Sequence, residues 1–195
     1  MCQHVEMSII HTVNDDDATG DVAAFYAEDR EHYGYVPTRT RIMAVNPEAL
    51  TAFEDLTKAI ASQLGVRNYR LVTLAAAGAL NSDECRLAHG SMARKIMDDA
   101  QIERVARDFH DAGLTDAEVA MMDFAEKVCV DSAAMTDADS QVLRDHGFSD
   151  RDIVDITLAA AVRSYYSRAL QALAVPLDVP PTLPAELREA LVSAS

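Results

Sequence analysis

Cys85 and His89 stand four residues apart in the stretch Asn81-Ser82-Asp83-Glu84-Cys85-Arg86-Leu87-Ala88-His89-Gly90. On a helix, positions with this spacing project to one side, so the sequence predicts a thiol beside an imidazole. Such a pair can hold a thiolate or pass a proton, and most thiol chemistry needs one or the other. Ser82 reads as the N-cap of that helix, which puts Cys85 in the first turn, where backbone amides and the helix dipole favour a thiolate. Asp83 and Glu84 oppose this by like charge, but they read as solvated and screened. The competing account is plain packing, with Cys85 as a small apolar residue and His89 as a hydrogen-bonded core histidine.

The elements that must position this pair read as helical. Over 82–97, Ser82, Cys85, His89, Met92 and Ile96 fall on one stripe, with Asp83, Arg86, Gly90 and Arg94 on the opposite side. The preceding run Leu71-Val72-Thr73-Leu74-Ala75-Ala76-Ala77-Gly78-Ala79 predicts a helix over 67–80. Its small side chains let a neighbour approach closely, so it is expected at the centre. Earlier, Val22, Phe25, Tyr26 and Asp29 predict a helix over 20–33 ended by Gly34, and a short turn follows Pro37 around 38–44. Asn46-Pro47-Glu48 is a strong start, with Asn as cap and Pro at the first helical position, for a helix ending at Gly65.

Further on, 99–109 predicts a short charged helix. Thr115-Asp116-Ala117-Glu118 has capping-box spacing and opens the helix through Met121, Met122, Phe124, Ala125 and Val128. Residues 136–146 predict another short helix, closed by Gly147. Ser149-Asp150-Arg151-Asp152 caps the last long helix, through Ile153, Ile156, Ala160, Tyr165 and Leu170 to about Leu173. No segment reads as a strand, so the expected class is all-α. The chain divides into an N-terminal arm over 1–17, a helical domain over 18–175, and a Pro-rich tail over 176–195 with a short helix near 184–193. The arm before Met7 reads as loosely ordered, and translation from either Met1 or Met7 is compatible with it.

Composition bounds the function. A formal charge of −15, from 17 basic and 32 acidic side chains, argues against nucleic acid or an anionic membrane as partner. Three cysteines in 195 residues do not make a disulfide framework, and no apolar run reaches membrane-spanning length. The N-terminus lacks a secretion-signal layout, so a soluble cytoplasmic protein is expected. A metal site is not expected, because Cys85 and His89 supply only two ligands. No Gly-rich phosphate loop or nucleophilic-serine elbow points to a cofactor or a serine hydrolase. Cys2, Cys129 and the isolated His4, His11, His32, His110 and His146 read as packing or surface residues, and Tyr165–Tyr166 as core or interface.

Leu71–Ala77, then Cys85-Arg86-Leu87-Ala88-His89-Gly90, then Asp123-Phe124-Ala125-Glu126-Lys127 together resemble the carboxymuconolactone decarboxylase superfamily, and within it the AhpD-like, peroxidase-related proteins. Phe25–Val36, Gly147-Phe148-Ser149-Asp150 and Ala172–Val179 extend the likeness to roughly residues 20–180. The resemblance implies a helical fold of about eight to ten helices with a central Ala-rich hairpin, assembled into dimers, trimers or hexamers. In redox-active members a CxxC pair cycles between dithiol and disulfide, while a Glu and a His relay protons. Carried over by position, the second Cys is Cys85 and the His is His89. The first Cys falls on Ser82 and the Glu on Arg70.

Ser82 excludes an internal dithiol cycle at this site. Cys85 could still attack a peroxide as a thiolate, giving a sulfenic acid that an outside thiol must reduce. Arg70 cannot act as a base near neutrality, but it could favour a thiolate by Coulomb attraction if it reaches the sulfur. The leading expectation is therefore a one-cysteine thiol peroxidase, with a hydroperoxide substrate and an external thiol reductant. The rival is a non-catalytic oligomeric binding or scaffold member that keeps Cys85 for packing. A lower-ranked alternative is cofactor-free decarboxylase or lactone chemistry, with His89 as acid and Arg70 or Arg163 holding a carboxylate.

Overall fold

The computed structural model describes residues 9–192, so Cys2, His4 and the expected loose arm before Met7 lie outside the described residues. The described residues form ten α-helices and no strand. They are α1 (Gly20–Tyr33), α2 (Thr38–Met43), α3 (Pro47–Leu64), α4 (Val66–Ala79), α5 (Asp83–Ala93), α6 (Asp99–Arg107), α7 (Asp116–Asp131), α8 (Asp137–Asp145), α9 (Asp150–Ala172) and α10 (Ala185–Leu191). The starts read from capping chemistry hold: Asn46 Oδ1 accepts from the Ala49 amide, and Thr115 and Ser149 each form a capping box with Glu118 and Asp152.

The Ala-rich helix α4 is central, as its composition implies. Every residue from Leu71 to Ala77 is buried, and α4 packs against α5, α7 and α9. Small side chains let three helices approach one axis closely, which is how a short helix comes to touch so many partners. The turn from α4 into α5 is tight. Asn81 takes a left-handed φ of 50°, the Asn81 amide donates to Gly78 O (3.0 Å) and the Ser82 amide to Ala77 O (2.9 Å). This double closure satisfies the last α4 carbonyls and starts α5 at once. It fixes Cys85 in the first turn of α5, in one cluster with Ala77 near the C-terminal end of α4.

Two expectations about α5 need correction. The helix ends at Ala93 rather than near Met97, and Ile96, expected on the inward stripe, is exposed beyond that end. The side carrying Gly90 is not a solvent face. The C-terminal helix α10 covers it, with Leu187 and Leu191 buried in the main core. Arg86 donates to Ala106 O (2.7 Å) and Ala190 O (2.9 Å), tying α5 to α6 and α10. At the other end of the chain, Asp15 accepts from Arg30 and Arg41, whose guanidinium donors hold its carboxyl down to about 2.

Gly90 is the seat of α10, because a methyl group there would fall inside the van der Waals shell of the Leu191 methyls. Gly90→Ala is therefore expected to destabilise by about 1–3 kcal/mol despite the better helix propensity of Ala. In a Leu191→Ala background, where that methyl has room, its cost should vanish or change sign. A urea-denaturation double-mutant cycle measures this, and strictly additive costs would contradict the seating of α10.

Candidate active site

Cys85 is 2% exposed and lines a cavity of about 550 Å³ walled by α1, α2, α3, α4, α5 and α9. Its sulfur receives two hydrogen bonds from α9: Ser167 Oγ at 3.2 Å and Arg163 Nη1 at 3.6 Å. Residues 163 and 167 are one turn apart and so share a face of the helix. Arg163 is itself 4% exposed, and its guanidinium lies over the Tyr166 ring at 5.6 Å. Tyr166 in turn stacks on Phe53 of α3 at 4.4 Å. Burial works against the Arg163 charge, but the Cys85 sulfur and the Tyr69 and Tyr166 side chains more than offset it and hold the guanidinium charged. The sulfur thus faces a buried cation and a hydroxyl, donors of the kind that favour a thiolate.

His89 lies one turn further along α5 and is also buried. No hydrogen bond joins it to Cys85 among the described residues. Its Nδ1 instead faces Arg70 Nη1 at 3.0 Å. A guanidinium can only donate, so Nδ1 accepts and the imidazole carries its proton on Nε2. Burial, then the positive charges of Arg163, Arg70 and Arg39, keep the ring neutral, with its pKa well below the usual value of 6.5. Arg70 therefore does not reach the sulfur. It fixes the histidine tautomer, with its own guanidinium over the Tyr69 ring at 5.6 Å.

Ser82 is buried at the N-cap position, as expected, but its side chain makes no capping hydrogen bond and does not line the cavity. Glu84, expected to be solvated, is 7% exposed and pairs with the buried Arg39 at 2.6 Å. Its second oxygen accepts from the Asp178 amide (3.1 Å), and the Asp178 carboxylate accepts from the amide and hydroxyl of Thr38. Burial raises the Glu84 pKa against the opposing pull of Arg39. The network ties α2, the first turn of α5 and the C-terminal segment into one wall of the site. Cys129 behaves as expected of a packing residue: burial pushes its thiol up to about 11, and its sulfur bonds Ala160 O at 3.7 Å. His110, read as an isolated surface residue, is exposed but contacts Asp108 and Asp123.

Arg163 and Ser167, the groups that touch the sulfur, carried one signal in the sequence. The buried stripe of α9 runs Ile153, Ile156, Ala160, Arg163, Ser167, Leu170, and two polar residues interrupt it. A cation in an apolar stripe needs a buried partner.

The neutral histidine has a stability consequence. Below pH 6.5 the unfolded chain takes up a proton at His89 that the folded chain refuses, so this group's contribution is complete above that pH and is lost as pH falls. Between pH 7.5 and 5.5, folding free energy should fall by about 1.4 kcal/mol more in the wild type than in His89→Gln. Urea midpoints at the two pH values measure this, and equal losses would contradict a neutral buried His89.

The sequence matches no family model and no curated protein. Solved structures do match. An uncharacterized peroxidase-related protein from Silicibacter sp. TM1040 is 27% identical over 91% of this chain and 95% of its own, with a TM-score of 0.80. The alkylhydroperoxidase AhpD core of a peroxidase-related protein from Ralstonia eutropha JMP134 is 25% identical over 87% and 91%, with a TM-score of 0.79. A debrominase shares the fold at 16% identity over 95% and 97%, with a TM-score of 0.75 (no helix of the described residues here is long and apolar enough to cross a membrane). With the Ala-rich helix α4 at the centre and the Cys–His helix beside it, this chain has the AhpD-like fold and is similar to AhpD-like, peroxidase-related proteins.

Proposed function

We propose that the protein is a one-cysteine thiol peroxidase that reduces hydroperoxides at Cys85. The observation that carries this reading is the pair of donors, Arg163 and Ser167, converging on a sulfur that lines a cavity. The thiolate attacks the distal peroxide oxygen: an S–O bond forms, the O–O bond breaks, and the alkoxide leaves. The proton released when the thiol ionises ends on the departing alcohol, and the Ser167 hydroxyl offers a route for it. His89 presents Nε2–H on the cavity wall, so it acts here as a hydrogen-bond donor to the leaving oxygen rather than as a base. One external thiol then displaces hydroxide from the sulfenic acid, releasing water, and a second cleaves the mixed disulfide. Ser82 and the inert Cys129 supply no resolving sulfur.

A second reading, a binding protein that keeps Cys85 for packing, is favoured by the sulfur's place in an apolar cluster with Phe25, Leu50, Ala77 and Tyr166. The two readings part under oxidation. With cumene hydroperoxide and dimedone, a dimedone adduct on Cys85 and thiol-dependent peroxide consumption are expected. Both should be lost in Cys85→Ser. Absence of the adduct, or unchanged turnover in Cys85→Ser, would favour the binding protein.

A further inference from the structure

The cavity holds more positive charge than its own carboxylates balance. Arg39 is matched by Glu84. Arg163 and Arg70 are not: among the described residues no carboxylate lies within ion-pair distance of either. His89, which lies between these cations electrostatically, is neutral and cannot serve as counter-ion. The Nε of Arg163 is buried with no hydrogen-bond partner. A protein with a formal charge of −15 has carboxylates to spare, so two unmatched guanidiniums in one cavity need a reason.

A Cys85 thiolate supplies one counter-charge, and by geometry it belongs to Arg163. The Arg70 charge is left over. We infer that the substrate brings the second anion: a hydroperoxide that also carries a carboxylate, with the carboxylate read by Arg70 and the peroxide presented to Cys85. Of the acidic lining residues, Glu54 of α3 pairs with Lys58, Glu84 of α5 pairs with Arg39, and Glu28 and Asp29 lie on α1; among the described residues none of them forms an ion pair with Arg70 of α4. Cys85 and His89 are separated by about 6 Å of helix axis, and Arg70 Nη1 lies 3.0 Å from the imidazole Nδ1. Peroxide and carboxylate are therefore held several bonds apart, as across an aromatic ring or a short alkyl chain. The cavity volume of about 550 Å³ admits such a molecule.

This substrate class rests on the peroxidase reading, so its test has one arm with turnover and one without. In the first, Cys85 oxidation is timed with cumene hydroperoxide and with its para-carboxylate at low ionic strength. The carboxylate should react about tenfold faster, and Arg70→Gln should erase the preference. Equal rates in the wild type, or a preference that survives Arg70→Gln, would overturn the assignment. In the second arm, Cys85→Ser is titrated calorimetrically with 4-isopropylbenzoate and with 4-isopropylbenzyl alcohol. About tenfold tighter binding of the carboxylate supports the site, and equal affinity overturns it. If neither hydroperoxide oxidises Cys85, the peroxidase reading fails and the binding arm alone decides the carboxylate site.

Discussion

A guanidinium buried against a sulfur is the interaction on which the rest of this site depends. Moving Arg163 out of water costs several kcal/mol unless the interior supplies compensation. No carboxylate of the described residues does so. What surrounds the charge is the Tyr166 ring, the Cys85 sulfur and the Tyr69 side chain, each placed by a different helix. The arrangement holds only if α9, α5 and α4 meet closely. The run of alanines in α4 permits that approach, and the Asn81 turn fixes the register of α5 against it. A core device of small residues thus has a functional result, because it brings a cation on one helix to a thiol on another.

A second buried charge pair does different work. Arg39 and Glu84 are matched, hydrogen-bonded and linked through Asp178 to the start of α2. Removing one member of such a pair leaves an uncompensated buried charge, at about 3–5 kcal/mol. This pair closes one wall of the cavity and steadies the first turn of α5, where Cys85 sits. Matched charges therefore build the wall, and unmatched charges face the space that a ligand would occupy.

Much of the fold was legible in the sequence because it is local. Asn46, Thr115 and Ser149 announce their helices through capping chemistry that involves only the next few residues. The Ala-rich run announces a close-packed helix, and the spacing of Cys85 and His89 marks a segment that lines the cavity. What local pattern could not reach was decided by tertiary contact. Arg163 and Ser167 meet Cys85 from far along the chain, Glu84 looks like a solvated acid until Arg39 is placed beside it, and Gly90 looks outward until α10 covers it. The Cys–His spacing was correct about proximity but silent about bonding: the histidine spends its lone pair on Arg70, and the sulfur is served by α9.

The central claim is that Arg163 makes Cys85 a nucleophile. It is tested most directly by the second-order rate constant for oxidation of Cys85 by cumene hydroperoxide, followed by stopped flow in the wild type and in Arg163→Gln. Loss of the buried donor that holds the anionic sulfur predicts a fall of about 100-fold or more, in a variant whose near-UV circular dichroism shows an intact core. A folded Arg163→Gln protein that oxidises at the wild-type rate would contradict the account.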